Sequence, residues 1–257
     1  MRHQLNPTGR FSSRVADYVK FRPHYPPSLL SFFQETLGLG PRHTVADVGS
    51  GTGILTKLLL GAGCAVLGVE PNADMRLAAE HLLSPHPRFK SVTGTSEATT
   101  LPESSVDFIT AAQAFHWFEP VATREEFLRI LRPGGWVVLL WNDRRVANTA
   151  FAQEYEALID RFSVDYKAVN HKNLVDEDLG RFFGAGGFEK LVLPNHQDLD
   201  LQGLVGRLAS SSYAPGKEHP RYAAMVAELG ALFDRHQHGG DLRIEYDTRA
   251  FYGRLTR

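Results

Sequence analysis

Residues 43–70 read HTVADVGSGTGILTKLLLGAGCAVLGVE, and this stretch predicts a strand, a helix and a second strand in succession. Apolar side chains dominate 43–49 and 65–70, which is typical of buried strands, whereas those of 54–63 recur with helical spacing. The loop between the first strand and the helix contains three glycines, which allow the backbone to approach a ligand closely. Parallel strands joined by a helix are the repeating unit of an α/β fold.

The same alternation continues to Trp141. A helix is predicted over 72–83, where Asn72 is a suitable N-cap residue, and ATREEFLRIL (122–131) indicates another. The apolar segments between these helices predict strands at 89–94, 106–115 and 136–141, the last after a turn at Arg132–Gly135. Continuous apolar strands that alternate with helices predict a parallel sheet covered on both faces.

The pattern changes after Asn142. Helices are predicted at 147–185, 201–211 and 218–237, and strands at 188–199 and 242–253. Five parallel strands followed by two late strands predict an α/β fold with a doubly wound, mostly parallel seven-stranded sheet and helical cap insertions.

The composition excludes several classes of protein. Of the 257 residues, 43% are apolar and 22% are charged, which excludes a disordered or collagen-like chain. The formal net charge is -1, so no global field attracts nucleic acid or an anionic membrane. The single cysteine, Cys64, lies in an apolar stretch that predicts burial, and it leaves no internal disulfide. We find no signal-peptide pattern and no run of roughly 18 apolar residues, so a cytoplasmic protein is expected.

Four loops lie where the ligand of a doubly wound sheet binds, beyond the carboxyl ends of the strands. In the first loop, Asp47 would repel a pyrophosphate but suits a ligand with an amine or sulfonium cation. Ile54 stands where a dinucleotide fingerprint has its third glycine or an alanine, which disfavours a nicotinamide cofactor. Glu70 ends the second strand, where a carboxylate can accept hydrogen bonds from both ribose hydroxyls. Small polar residues at 94–98 suit an adenine edge, and aromatic residues end the fourth strand at 113–118.

At these positions the sequence resembles the class I S-adenosylmethionine-dependent methyltransferases, over about residues 10–142. The motifs that carry the resemblance are VADVGSGTG (45–53), GVEPNADM (68–75), GTSEATTLP (94–102) and LRPGG (131–135). YVKFRPHYP (18–26) together with AFHWF (114–118) resembles more particularly the branch called type 11, which contains relatives of trans-aconitate methyltransferase.

The resemblance, combined with the loop positions, implies a cofactor site and a substrate site. S-adenosylmethionine, or its product S-adenosylhomocysteine, is expected to contact Tyr18, Arg22, Asp47, Gly49, Ser50, Gly51, Thr52, Gly53, Glu70, Pro71, Asn72, Met75, Ser96, Glu97, Ala98, Gln113, Ala114 and Phe115. The candidates for substrate binding are Tyr25, His116, Trp117, Trp141, Arg207 and Tyr213.

The resemblance also implies an N-terminal segment that folds over the cofactor. We expect this lid to be extended between Tyr18 and Tyr25 because of its prolines. One domain is expected over residues 1–257. Its parts are a lid at 1–30, a cofactor-binding core at 40–142, and helical cap segments on the substrate side at 143–187 and 200–240.

The expected reaction is methyl transfer to a small molecule, with His116 as the catalytic candidate. His116 could instead hydrogen-bond to the substrate or pack between its aromatic neighbours. A carboxylate acceptor is already ionised at pH 7 and would need cationic partners, for which the candidates are Arg22, Arg144, Arg145 and Arg207. The sequence leaves open whether oxygen, nitrogen or carbon accepts the methyl group.

Two rival functions also remain open: a non-catalytic methyltransferase-like binding module and a nicotinamide-dependent oxidoreductase. No metal is expected, because His236 and His238 are two residues apart on a predicted helix and face apart. No nucleic-acid partner is expected because the chain has no basic stripe, and no membrane partner is expected. We expect a monomer or a homodimer.

Overall fold

The computed structural model describes residues 12–166 and 175–256. Within these residues, one sheet contains β1 (Thr44–Val48), β2 (Ala65–Val69), β3 (Phe89–Val92), β4 (Val106–Ala112), β5 (Leu131–Arg144), β6 (Glu189–Leu199) and β7 (Leu242–Gly253). Their order across the sheet is β3-β2-β1-β4-β5-β7-β6. β7 is antiparallel to both of its neighbours, and the other pairs are parallel. The predicted doubly wound, mostly parallel seven-stranded sheet is confirmed.

The helices of the described chain are α1 (Val15–Phe21), α2 (Pro27–Ser31), α3 (Ile54–Leu60), α4 (Ala73–Leu83), α5 (Pro120–Ile130), α6 (Ala150–Phe162), α7 (Asp176–Phe183), α8 (Leu201–Ala209) and α9 (Tyr222–His236). Single turns of 3-10 helix lie at Ser12–Arg14, Phe115–Trp117 and Gly184–Gly186, and a π-helical turn lies at Phe32–Thr36. In this part of the chain, no helix has the length and apolar character needed to cross a membrane.

Three apolar clusters form the core. One face of the sheet packs under α2 and α3, with Leu29 and Leu59 fully buried. The other face packs under α5 and α7, with Phe127 and Phe182 at its centre. A third cluster joins α6, α8 and α9 to the start of β7 and forms a helical cap beside the sheet. Cys64 is fully buried, as expected, and its Sγ donates to the Leu59 carbonyl at 3.3 Å.

Two local predictions need correction. The segment from Tyr18 to Tyr25 is not extended throughout, because Tyr18 to Phe21 belong to α1. The helix ends where Pro23 forces Arg22 out of the helical region, and extended backbone begins there. The predicted turn at Arg132–Gly135 is part of β5. It forms a bulge, since Leu131 pairs with Val106 while Trp136 pairs with Phe108.

Parts of two predicted segments lie outside the described residues. These are residues 1–11 of the predicted lid and residues 167–174 of the predicted cap. The single long helical region expected at 147–185 is represented in the described chain by α6 and α7.

Candidate functional site

The candidate site lies beyond the carboxyl ends of β1 and β4. These strands are neighbours in the sheet but are separated along the chain by β2 and β3, so the strand order reverses between them. A crevice forms at such a point because the loops leave the two strands towards opposite faces. The loops meet at their bases, since a Cβ built on Gly49 would lie 2.7 Å from the Cβ of Ala114.

Asp47 is a carboxylate held inside the protein at the end of β1, with 1% of its surface exposed. It accepts hydrogen bonds from the Thr56 hydroxyl at 2.6 Å and the Thr110 hydroxyl at 2.8 Å. Burial raises the pKa of Asp47 to about 6, and the two hydroxyl bonds offset only part of that effect. Its remaining lone pairs and its charge suit a cationic ligand in the crevice.

The glycine loop after β1 is shaped to receive a ligand against its backbone. Gly51 has a φ of 56° and nothing within 4 Å of the position that a Cβ would take, so its outer side is open. The neighbouring Thr52 is 3% exposed, and in the described chain its hydroxyl has no hydrogen-bond partner. An open backbone beside an unpaired buried hydroxyl indicates a place for a polar ligand.

Glu70 connects the glycine loop to the start of α4. One carboxylate oxygen accepts the Gly51 N–H at 3.0 Å and the other accepts the Asn72 N–H at 2.9 Å. Burial raises the pKa of Glu70, although these two bonds act against the increase. Asn72 in turn caps α4 by accepting the Met75 N–H at 3.0 Å. Each Glu70 oxygen retains a second lone pair, which a ribose hydroxyl could use.

The third loop contains Ser96, which is buried, and Ala98, which is exposed. Glu97 accepts the backbone N–H of Glu119 at 3.1 Å, at the base of α5. Burial acts to raise the pKa of Glu97, but hydrogen bonds from Glu119 and the Ser96 hydroxyl outweigh it and the net shift is downward. The carboxylate therefore fixes the position of this loop relative to α5.

The end of β4 brings polar and aromatic side chains to the crevice. Gln113 has a φ of 56°, which is unusual for a residue with a side chain, and its N–H donates to the Leu140 carbonyl at 2.8 Å. The Trp141 Nε1–H donates to His116 Nδ1 at 3.4 Å, which connects His116 to the end of β5. Phe115 packs inward instead, with its ring 4.6 Å from that of Phe182.

One cavity joins many of the predicted site residues. It is lined by Tyr18, Arg22, Tyr25, Asp47, Gly49, Ser50, Gln113, His116, Trp117, Arg207 and Tyr213. The predicted residues that do not line it are Gly51, Thr52, Gly53, Glu70, Pro71, Asn72, Met75, Ser96, Glu97, Ala98, Ala114, Phe115 and Trp141. Pro71, Asn72 and Met75 lie at the end of β2 and the start of α4, where Glu70 also sits. Trp141 packs on Phe251.

The N-terminal segment contributes to the wall of this cavity. The Phe21 ring lies against α8 at Gly206, where an added Cβ would come within 2.1 Å of it, so only glycine allows this contact. Arg22 stacks over the Tyr18 ring at 4.7 Å and donates from Nη2 to the Ser210 carbonyl at 2.9 Å. Burial lowers the pKa of Arg22, and the like charge of Arg207 adds to that effect.

Several cavity residues are absent from the predicted site. Asn142, Arg144, Val146, Tyr166 and Ser212 line it. Arg144 was named only as a possible partner for a carboxylate, and no local pattern marks Tyr166. Arg145, the other such candidate after β5, is turned outward and pairs with Asp247 at 2.7 Å.

Comparison with known proteins points to one family. A family model described as a methyltransferase domain matches residues 46–139. An uncharacterized methyltransferase of Mycobacterium tuberculosis (strain ATCC 25618 / H37Rv) is 37% identical over 134 residues, which is 52% of this chain and 52% of the relative. The chain therefore spans about half the length of that relative. A Dictyostelium discoideum protein named as a methyltransferase is 30% identical over 216 residues, which is 80% of this chain and 78% of the relative.

A solved structure agrees at the level of the fold. A protein of Anaeromyxobacter dehalogenans described as a type II methyltransferase superposes with a TM-score of 0.68 and 23% identity. The superposition covers 91% of this chain and 98% of that one. At this identity the likeness concerns the fold alone.

Proposed function

The chain belongs to the class I S-adenosylmethionine-dependent methyltransferases, and from this membership we propose that it transfers the methyl group of S-adenosylmethionine to a small-molecule acceptor. The family resemblance seen in the sequence is thereby confirmed, while the narrower type 11 branch stays a prediction. The observation that carries the proposal is a single cavity lined on one side by Asp47, Gly49 and Gln113 and on the other by Arg207 and Tyr213. One side suits the cofactor and the other suits an acceptor.

The residues present fit the cofactor. Asp47 is an almost fully buried acid that can pair with its amine or sulfonium cation. Glu70 stands at the end of β2, where its free lone pairs can accept from the ribose hydroxyls. The open side of Gly51 leaves room for a ligand against the backbone. When bound, S-adenosylmethionine supplies a methyl group that its sulfonium has already made electrophilic.

The chain's own contribution is therefore alignment and exclusion of water. The acceptor nucleophile must lie in line with the carbon–sulfur bond, and holding two reactants in such a geometry can contribute about 7 to 11 kcal/mol. The nucleophile forms a bond to the methyl carbon as the carbon–sulfur bond breaks, and the electron pair of that bond remains on sulfur. Trp117 and Tyr25 supply the apolar surface of the cavity. His116 remains the predicted catalytic candidate for an acceptor that must lose a proton.

A small acceptor is favoured over a macromolecule. The formal net charge of -1 offers no general attraction for a polyanion, and Arg144 and Arg207 lie largely buried along the cavity rather than on an exposed basic surface. The oligomeric state, a monomer or a homodimer, stays a prediction.

Binding of S-adenosylhomocysteine tests the cofactor half of the proposal. Calorimetry should detect binding, and a hundredfold excess over Kd should stabilise the protein by about 2.7 kcal/mol. Incubation with a metabolite extract and isotope-labelled S-adenosylmethionine should then yield a labelled small molecule. If neither S-adenosylmethionine nor S-adenosylhomocysteine binds at millimolar concentration, the proposal is wrong. Binding without any labelled product would instead indicate a non-catalytic module.

A further inference from the structure

Two buried arginines line the cavity from elements far apart in the sequence. Arg144 lies at the end of β5 with 9% of its side chain exposed, and Arg207 lies in α8 with 6% exposed. Both belong to the cavity that also contains Asp47 and Gln113. A guanidinium stays protonated at any physiological pH, so each of these two side chains carries a permanent positive charge.

Among the described residues, only one of the two arginines pairs with a carboxylate. Arg144 Nη2 pairs with Glu156. Arg207 donates to neutral groups, namely the Tyr246 hydroxyl at 3.1 Å and the Ser211 hydroxyl at 3.1 Å. Across residues 12–166 and 175–256, no ion pair connects Arg207 to an acid. A buried cation without a counter-ion is costly, which indicates that an anion completes the arrangement.

One buried donor nitrogen of the pair has no partner among the described residues. The Nε atom of Arg144 is buried and has no hydrogen-bond partner within the described chain. Native proteins pair nearly all of their buried donors, so an unpaired one beside a cavity indicates where an acceptor belongs. The lacking counter-ion and the unpaired donor therefore point to the same kind of ligand.

Tyr213 lies within the field of both arginines. It lines the cavity, and its ring centre is 4.7 Å from that of Tyr166. Burial acts to raise the pKa of the Tyr213 hydroxyl, but the charges of Arg144 and Arg207 outweigh it and the net shift is downward. The positive field of the two arginines thus reaches the Tyr213 hydroxyl.

We propose that Arg144, Arg207 and Tyr213 form an oxyanion site that holds a carboxylate or phosphate group of the methyl acceptor. The acceptor is accordingly a small acidic metabolite. This inference rests on the proposed function, because it assumes that the cavity receives an acceptor. Arg22 also lines the cavity, but it stacks over Tyr18 and donates from Nη2 to the Ser210 carbonyl, so we leave it out of the oxyanion site.

The oxyanion in this site is an anchor, and a different atom of the acceptor receives the methyl group. Guanidinium N–H groups that bond to an oxyanion stabilise its charge and lower its basicity, which makes its oxygens weaker nucleophiles. The acceptor therefore has a second nucleophilic group, and the methylated product still carries the anchoring negative charge.

The test titrates the full chain, saturated with S-adenosylhomocysteine, with three probes in a calorimeter. Succinate represents a carboxylate source, phenyl phosphate represents a phosphate source, and dimethyl succinate is the uncharged match to succinate. The diagnostic variant is Arg207→Met, which keeps an apolar side chain of similar length. The Tyr246 hydroxyl retains its bond to the Gln197 side chain at 2.8 Å in this variant, so the fold should be preserved. The matched control is Arg145→Met, which removes an exposed arginine outside the cavity.

At least one acidic probe should bind the unchanged protein, and it should bind Arg145→Met with the same affinity. The probe with the higher affinity shows whether the site prefers a carboxylate or a phosphate. Arg207→Met should bind it about tenfold to a hundredfold more weakly, as expected for the loss of a hydrogen bond to a charged group, while S-adenosylhomocysteine affinity stays constant. Labelled products from a metabolite extract should be retained on an anion exchanger. The inference would be overturned if neither acidic probe binds, or if dimethyl succinate binds as tightly as succinate. It would also be overturned if Arg207→Met keeps the full affinity for the acidic probe, or if the labelled product is uncharged. Failure of S-adenosylhomocysteine to bind would refute the proposed function instead.

Discussion

Replacing Asp47 by asparagine should stabilise the free protein at alkaline pH while weakening cofactor binding. Asp47 is 1% exposed, and its carboxylate accepts hydrogen bonds from two threonine hydroxyls, which carry no charge that could neutralise it. Asparagine has nearly the same shape and no charge. The substitution therefore separates the cost of burying the carboxylate from the benefit of having it in the site.

The structure gives the magnitude. Burial raises the pKa of Asp47 from 3.8 to about 6, and an increase of this size corresponds to about 3 kcal/mol. Because the pKa is higher in the folded protein, the folded state binds the proton more tightly than the unfolded chain does. The stability that protonation provides is complete below about pH 4 and is lost as the pH rises through about 6. The asparagine variant avoids this loss but gives up one good hydrogen bond of about 1 kcal/mol, so a net gain of about 2 kcal/mol is expected at about pH 8.

Urea unfolding of both proteins at about pH 4.5 and about pH 8 measures the effect, and the gain should be present mainly at the higher pH. Asp107→Asn is a suitable control, because that carboxylate is partly exposed and pairs with Arg132 at 2.8 Å, so its loss should not stabilise the protein. The affinity of Asp47→Asn for S-adenosylhomocysteine should also be lower, by about tenfold or more. A variant that is no more stable than the unchanged protein at the higher pH would refute the idea that Asp47 is held ionised at a cost.

Three further outcomes are expected. Glu70→Ala removes the acceptor of the Gly51 and Asn72 N–H groups, so S-adenosylhomocysteine should bind about tenfold to a hundredfold more weakly. The circular dichroism spectrum should be preserved, and unchanged affinity would contradict the role of Glu70. Gly206→Ala must displace the Phe21 ring, so limited proteolysis should cut the N-terminal segment faster, and an unchanged rate would mean that the contact is not needed. Amide exchange in residues 18–27 should slow when S-adenosylhomocysteine binds, and identical exchange with and without it would exclude closure of this segment over the ligand.

The sheet could be predicted from the sequence because local patterns specify it. β1 and β2 are mostly buried, so each appears as a nearly continuous apolar run, interrupted in β1 by Asp47, and the glycine loop marks the boundary with α3. The order of β7 and β6 at the edge of the sheet could not be derived in the same way. It depends on pairing between strands that are more than forty residues apart, as in the contact of Leu199 with Leu242.

The bulge in β5 shows where a local rule is insufficient. Arg132 to Gly135 contains the proline and glycines of a turn, and Gly134 does adopt a φ of 78°. Pairing with β4 nevertheless continues on both sides, at Leu131 and Trp136. The turn residues are thus accommodated as extra residues within one strand, because the hydrogen bonds to β4 on either side hold the segment in the sheet.

The sequence names Arg22, Arg144 and Arg207 as candidate partners of a carboxylate, but their convergence on one cavity could not be predicted from it. Arg22 follows α1, Arg144 ends β5 and Arg207 lies in α8, and no spacing rule relates positions so distant in the sequence. Each position alone is consistent with an ordinary exposed arginine. Their convergence depends on contacts such as that of Phe21 with Gly206, which brings α1 against α8.

The arrangement of the core explains why the cofactor side of the cavity could be predicted from the sequence more fully than the side that carries Arg207 and Tyr213. Asp47 and Gln113 are carried by β1 and the end of β4, which are fixed by the two apolar clusters that flank the sheet. Arg207 and Tyr213 are carried by α8 and the loop after it, which belong to the separate cap cluster. Because the cap has its own core, residues on its cavity side can change without disturbing the strands that hold the cofactor side. A change of acceptor preference can therefore leave the strands and the glycine loop of the cofactor side unaltered.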